Sequence, residues 1–413
     1  MKSSRMSAAF AAAVISAACA NSALAAKQKV LYTFTGGTDG GFPQGGVIAD
    51  SAGNLYGTTT SDGVDHSGVV YELSPGAGPG KQTQTTLYAF TGGNDGGNPQ
   101  AGLVADAKGN LYGTTYAGGA DGDGVVFELS PPKKGATAWT ETVLWTFTGG
   151  NDGSLPTCAL ILDSEGNIYG TTDEGGTGVV GTVFELSPPP KGSKTWAESV
   201  LYNFTGNNDG GEPYGRMLLA SDGNLYGTTA GYGQYNYGNI FKLAVPVNGG
   251  GWTFSVLHAF QGSTDGEVPR DGLIQGPDGT LYGDTAGFDD SFGNVFSLQT
   301  DGSGYTVLWN VPGAFGYTGN GPWQTVSLDS SGNLYGATLA DGKSASGEVF
   351  ELSPPAKGKK NWKAKVLHVY QPNAKGQVAY TTVFVGADGL YGTTYGAAGQ
   401  AGFYPGTVWQ ITP

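Results

Sequence analysis

Few side chains in this sequence are of types that do chemistry, and most of those recur at a fixed spacing. An aspartate set among glycines, as in Gly-Gly-x-Asp-Gly-Gly and close variants, appears as Asp39, Asp95, Asp152, Asp209 and Asp265. Clustered carboxylate and carbonyl oxygens suit a hard cation such as calcium. An aspartate beside glycines equally suits an Asx turn, in which the side chain accepts from nearby backbone amides. Five copies spread along a repeating chain cannot converge on one ion, and the motif lacks the ligand pattern of an EF-hand or RTX loop. The turn reading is therefore preferred and no cofactor is predicted, with calcium kept as the alternative.

The other reactive types are scarce. His66 lies near Asp62 and Asp65 and could act as an acid or base, but has no evident serine or cysteine partner. His258 and His368 share a slot with Tyr32, Tyr88, Trp145, Tyr202 and Trp309, which marks them as packing residues. Cys158 aligns with Gly45, Ala101 and Gly215, so a buried, inert thiol is expected. Asp173, Glu174 and Asp284 could share acid–base work if their environments separated their pKa values. Their spacing gives no reason for them to meet. No catalytic constellation is identified.

The elements that would position these groups come from repetition. Asn-Leu-Tyr-Gly-Thr-Thr recurs with small changes around Tyr56, Tyr112, Tyr169, Tyr226, Tyr282, Tyr335 and Tyr391, at intervals of 53 to 57 residues. Each copy is followed by Gly-x-Val-Phe-Glu-Leu-Ser-Pro or a relative, and preceded by Val-Leu-Tyr-x-Phe-Thr-Gly-Gly or a relative. Within one repeat, four short strands are predicted near Val47 to Ala49, Asn54 to Thr59, Val69 to Leu73 and Leu87 to Phe90. The first is a continuous apolar run, expected to be buried on both faces. Four-stranded units repeated radially make a propeller, so the fold class is all-β, a seven-bladed β-propeller. The chain opens on a fourth-strand segment, Val30 to Phe34, and ends on a third-strand segment, Gly406 to Thr412. The N-terminal strand is thus expected to complete the last blade and close the ring.

The run Leu-Tyr-Gly-Thr-Thr followed by Gly-x-Val-Phe resembles the bacterial Gloeobacter/Verrucomicrobia (GloVer) repeat over nearly the whole chain. That resemblance implies exported propeller proteins with no defined common activity. More distantly, the Gly-Asn-Leu-Tyr hairpin is similar to NHL-type and gluconolactonase-like propellers, which implies calcium-dependent lactonase or lyase chemistry as an alternative. No residue here matches their catalytic motifs, and fold alone does not carry activity.

Comparing the repeats with each other separates frame from site. The position after the leading proline reads Gln44, Gln100, Thr157, Tyr214, Arg270 and Trp323, with Tyr380 in the diverged seventh repeat. These residues precede the innermost strand and should ring one mouth of the central channel. The position after Gly-Thr-Thr reads Thr60, Tyr116, Asp173, Ala230, Ala286, Leu339 and Tyr395, and should open on the same face. The following loops carry Tyr232, Tyr235, Tyr237, Phe288, Asp289 and Asp290. An aromatic arc with Arg270 within it, over blades four to seven, combines apolar area with polar handles and suits a sugar ring or another flat ligand. The competing reading is that large side chains simply plug the channel. The candidate ligand-binding set is Gln44, Gln100, Tyr116, Tyr214, Arg270, Trp323, Tyr380 and Tyr395. Trp139, Trp196, Trp252 and Trp362, five residues before an outer-strand leucine, are expected to pack at the rim.

Composition bounds the class. The 74 glycines and 21 prolines fall at fixed offsets between strands, as turns do. Lys2 and Arg5, the small apolar stretch to Ala18 and Ala23-Leu24-Ala25 read as a secretory signal peptide over residues 1–25. The apolar run is shorter than the ~20 residues a span needs, so no membrane insertion is expected. Residues 26–413 form the propeller, secreted or periplasmic. Losing Lys2 and Arg5 takes the 20 basic residues to 18 against 34 acidic ones, a net of −16. That balance disfavours nucleic acid and anionic membrane as partners and leaves a soluble chain expected to be monomeric. Its expected partner is a glycan or another extracellular ligand. A structural or cell-surface interaction protein is the remaining alternative.

Overall fold

The repeated Asp-x-x-Gly-Asn-Leu-Tyr segment builds its own hairpin. Asp50 accepts from the amides of Ala52 and Asn54, both at 2.9 Å, from Asn54 Nδ2 at 2.8 Å and from the Tyr56 hydroxyl at 3.1 Å. The same bonds recur at Asp106, Asp163 and Asp329. This turn joins the innermost strand, Ile48–Ala49, to the second, Leu55–Thr59. Val69–Pro75 and Gln82–Ala89 follow as third and fourth strands of one antiparallel sheet. The computed structural model describes residues 26–76, 82–247, 250–262, 265–287, 293–311, 324–339, 347–370, 378–379, 382–396, 398–399, 402–403 and 405–412. The segment 1–25 read as a signal peptide lies outside them.

This sheet is the first of six in chain order, and a seventh is assembled from both ends of the described chain. There Phe384–Gly386, Gly389–Tyr395 and Thr407–Thr412 are completed by Lys27–Thr33, paired antiparallel from Lys27 opposite Thr412 to Thr33 opposite Thr407. A register shift between Val30 and Tyr32 matches the shifts between third and fourth strands in other blades, such as Val70/Tyr71 and Val126/Phe127. The N-terminal strand therefore takes the place of a fourth strand, and the molecule is a seven-bladed all-β propeller. Among the described residues there is no helix.

Why the motif reads Tyr-Gly-Thr-Thr is visible in the packing. A Cβ on Gly113 would stand 2.7 Å from Phe127 Cζ, so only glycine lets the third-strand aromatic lie across the second strand. The second threonine of each motif receives the amide that begins the third strand, as Thr115 Oγ1 does from Val125 at 3.2 Å. The hydrophobic clusters are shared between neighbouring blades: Val126 and Phe147 of one pack with Leu160, Ile168 and Phe184 of the next. At the rim, Trp139 meets Tyr56 and Trp252 meets Tyr169, edge to face, and Trp196 packs on the cluster beneath it.

The recurring aspartates serve turns. Asp39 accepts from the Thr35 amide at 2.9 Å, the Thr35 hydroxyl at 2.5 Å and the Tyr32 hydroxyl at 2.8 Å, and Asp95 and Asp209 repeat this set. In the fourth blade His258 replaces the tyrosine, with Nε2 2.8 Å from Asp265 and its ring stacked 3.9 Å from that of Tyr305. One expectation needs correcting. The innermost strand is not buried on both faces: Val47 is buried, Ile48 is half-buried and Ala49 is exposed. Its second face borders a central cavity instead of another sheet.

Candidate functional site

In the first five blades the innermost strand is led in by a residue held at positive φ: Phe42 (59°), Asn98 (56°), Leu155 (55°), Glu212 (55°) and Val268 (54°). That conformation is uncommon outside glycine and strained for a β-branched valine. A proline follows each one, and the next residue turns into a central cavity of about 730 Å³. From there alternate residues face the channel and make three rungs. The first, at the mouth, holds Gln44, Gln100, Thr157, Tyr214 and Arg270. The second holds Gly46, Gly102, Ala159, Arg216, Thr325 and Thr382. The third is apolar, with Ile48, Val104, Ile161, Leu218, Ile274 and Phe384, and Ser327 as its one polar member among the described residues.

Five of the eight candidate residues border this cavity: Gln44, Gln100, Tyr116, Tyr214 and Arg270. Trp323 and Tyr380 lie outside the described residues, as do Phe288, Asp289 and Asp290. Tyr395 does not border it; its ring packs 5.2 Å from that of Phe42. Tyr232, Tyr235 and Tyr237 are exposed in their loop and likewise stand apart from the cavity wall. Among the described residues, the aromatic side chains at the cavity are Tyr116 and Tyr214, of blades two and four, with Arg270 of blade five beside them, and Phe384 deeper in the channel.

The polar groups of the mouth act on each other. The Arg270 guanidinium lies over the Tyr214 ring, 5.2 Å from its centroid, a cation–π arrangement. Asp173 is 8% exposed, and burial pushes its carboxyl up to about 7. The Tyr214 hydroxyl and Arg270 oppose that rise, while Glu212 and Glu174 add to it. Tyr116 is raised by burial and by the charges of Asp173 and Glu174. Glu174 adds its charge next to Asp173 but is exposed and does not border the cavity. Asp284 does not join them.

Asp284 replaces the first threonine of the motif, and its carboxylate accepts from the Val326 amide at 3.2 Å. It is 2% exposed and its carboxyl stands well above the usual range, chiefly through burial and further through the charge of Asp271. Asp271, raised by burial, accepts from the amides of Gly272 at 2.7 Å and of Thr325. Arg216 and Asp271 were missed by the sequence reading. The comparison that singled out Arg270 would have found both, had it been carried one and two positions further along the repeat. Cys158 is buried, with Sγ 3.1 Å from the Thr171 amide, and burial raises its thiol. Among the described residues no group of three or more His, Cys, Asp or Glu side chains is placed to hold a metal ion.

Seven four-stranded blades around a channel with a polar mouth define the class: a β-propeller with an open central cavity. The chain belongs to the Gloeobacter/Verrucomicrobia repeat family, whose model matches residues 19–161, 79–287 and 245–413. No curated protein sequence matches it. Among solved structures it is similar to a puromycin-hydrolyzing peptidase of Mycobacterium tuberculosis, at 11% identity and a TM-score of 0.50 over 91% of this chain and 52% of that one. It is also similar to a gluconolactonase of Xanthomonas campestris, at 13% identity and a TM-score of 0.42 over 94% and 89%. A glucose dehydrogenase gives 14% identity and a TM-score of 0.44 over 94% and 99%. The chain spans about half the length of the peptidase. At these identities the likeness shows the fold alone.

Proposed function

We propose that the protein is a secreted or periplasmic recognition module that binds a glycan, or a ligand of similar shape, at the mouth of its central channel. One observation carries this reading. The frame of the repeat is nearly constant, yet the first rung of the cavity changes from glutamine to threonine, tyrosine and arginine around the ring. A ring of side chains serving the fold alone has no need of that asymmetry. An off-centre ligand does. Tyr116 and Tyr214 supply apolar faces with a polar end, and Gln44, Gln100 and Thr157 supply donors and acceptors for hydroxyl groups.

The test is a glycan array with purified protein, followed by titration calorimetry of the best ligand. Tyr214→Ala should weaken binding by roughly thirtyfold, as the loss of an aromatic anchor commonly does, while Gln44→Ala costs much less. Equal losses at both positions, or no bound glycan at all, would remove the reading. A hydrolase or lyase is the second reading, favoured by the Asp173 carboxyl at about 7 beside Glu174 and Tyr214. Such a group holds its proton near neutral pH and could deliver it to a leaving oxygen. Mass spectrometry of the titrated ligand separates binding from turnover.

A further inference from the structure

Beyond residue 25 the sequence holds two arginines, Arg216 and Arg270, and both border the central channel. Among the described residues no lysine does so. In a chain of net charge −14, a solvated surface would not gather its arginines in one cavity. Arg216 stands on the second rung, where other blades place Gly46, Gly102, Ala159 and Thr325, so small residues leave open the space across from it. Its side chain is exposed to the channel; the surrounding protein lowers its pKa, and the charge of Asp271 opposes that. Among the described residues its guanidinium makes no hydrogen bond and no ion pair. The carboxylate that acts on it, Asp271, is already engaged by the Gly272 and Thr325 amides.

The exposed guanidinium is therefore open to an anion that enters the channel. A guanidinium fork matches the two oxygens of a carboxylate, and such charge-assisted bonds are about twice as strong as neutral ones. We infer that Arg216 is the anchor for the carboxylate of an acidic sugar, with Arg270 bordering the same path at the mouth. The neighbouring Asp271 favours a monoanion over a doubly charged phosphate, because each added negative charge meets its repulsion. The apolar third rung, with Ile48 and Ile161, would face the ring carbons. This inference rests on the reading of the channel as a ligand site, and names the ligand class for it.

The experiment titrates tetragalacturonate, its methyl ester and inorganic phosphate against the wild-type protein, Arg216→Gln, Arg216→Lys and Tyr214→Ala. The acid should bind the wild type at least about tenfold more tightly than the neutral ester, and Arg216→Gln should abolish that preference. Arg216→Lys should restore part of it. A melting curve for each variant removes the structural explanation, since loss of an exposed side chain that makes no hydrogen bond or ion pair should leave the midpoint nearly unchanged. A midpoint that falls sharply in Arg216→Gln, with the acid preference intact, would make Arg216 a counter-ion of Asp271 and overturn the inference. Acid and ester bound equally well, both lost in Tyr214→Ala, would overturn the carboxylate anchor and leave the recognition site standing. Arg216-dependent binding of phosphate but not of the uronate would overturn the ligand class. If neither saccharide bound, the inference for these sugars would fall, and the glycan array decides the broader reading.

Discussion

Glu141 and Glu198 occupy the same slot in the outer strands of the second and third blades, opposite Leu129 and Leu186. Burial, helped by the charge of Asp95 or Asp152, pushes each carboxyl up to about 7. In each, Oε1 is enclosed without a hydrogen-bond partner. A raised carboxylate pKa means the folded protein keeps a proton that the unfolded chain releases. Its stabilising contribution is complete below pH ~4.5 and is lost as pH rises through about 7. Glutamine stands in the same slot at Gln28 and Gln84 of other blades, so the frame accepts an amide there. The double variant Glu141→Gln/Glu198→Gln should raise the melting midpoint by roughly 2 °C at pH 8 and change it little at pH 4. An equal gain at both pH values would show that ionisation is not the cause.

Between neighbouring blades the first threonine of Tyr-Gly-Thr-Thr acts as a staple. Thr58 donates to the Ala101 carbonyl at 2.8 Å, Thr114 to Cys158 at 3.2 Å, Thr228 to Asp271 at 2.7 Å and, across the ring closure, Thr393 to Gly45 at 3.4 Å. Thr114→Val keeps the volume but removes the donor from a buried carbonyl. It should cost about 1–2 kcal/mol in urea unfolding, and Thr114→Ser should recover most of that. These staples explain how much could be read in advance. Hairpin aspartates, threonines, glycines and third-strand aromatics repeat because every blade needs the same bonds, and repetition makes them visible in a single sequence. The channel wall is different. Arg216 and Asp271 each stand once where most blades have a small residue, in blades four and five, so they show as departures from the repeat whose contacts the repeat itself does not give. Tyr395 shows the converse error: it shares a slot with Tyr116 and Asp173, but the seventh blade adds the pairing of Tyr395 with Val378, and its ring packs against Phe42 instead of facing the cavity.

A ring built of repeats has one place where continuity of the chain cannot hold neighbours together, and here it falls within the seventh blade. Lys27–Thr33 supplies the missing outer strand, and its side chains tie into both adjacent cores. Leu31 and Phe34 pack with Val47, Val69 and Val408, while Gln28 Nε2 donates to the Tyr370 hydroxyl at 3.3 Å near the fully buried Trp409. The Phe34 amide continues the pairing to the Gly406 carbonyl at 3.0 Å. Burial of Leu31 and Phe34 alone contributes roughly 3–6 kcal/mol, before any loss of sheet hydrogen bonds is counted. Deleting residues 27–35 should therefore do two separate things. The melting midpoint should fall by on the order of 10 °C or more, and Thr407–Thr412 should become an open edge able to pair with other chains. Size-exclusion chromatography with light scattering would detect the second effect as oligomers growing with concentration. A peptide of residues 27–35 added in excess should suppress them by strand addition, since the vacated edge still offers its backbone groups and apolar pockets. A truncated protein that stayed monomeric and melted like the full chain would mean that the ring holds without this strand, and that the seventh blade is kept in place by its inner strands and by the Thr393 staple alone.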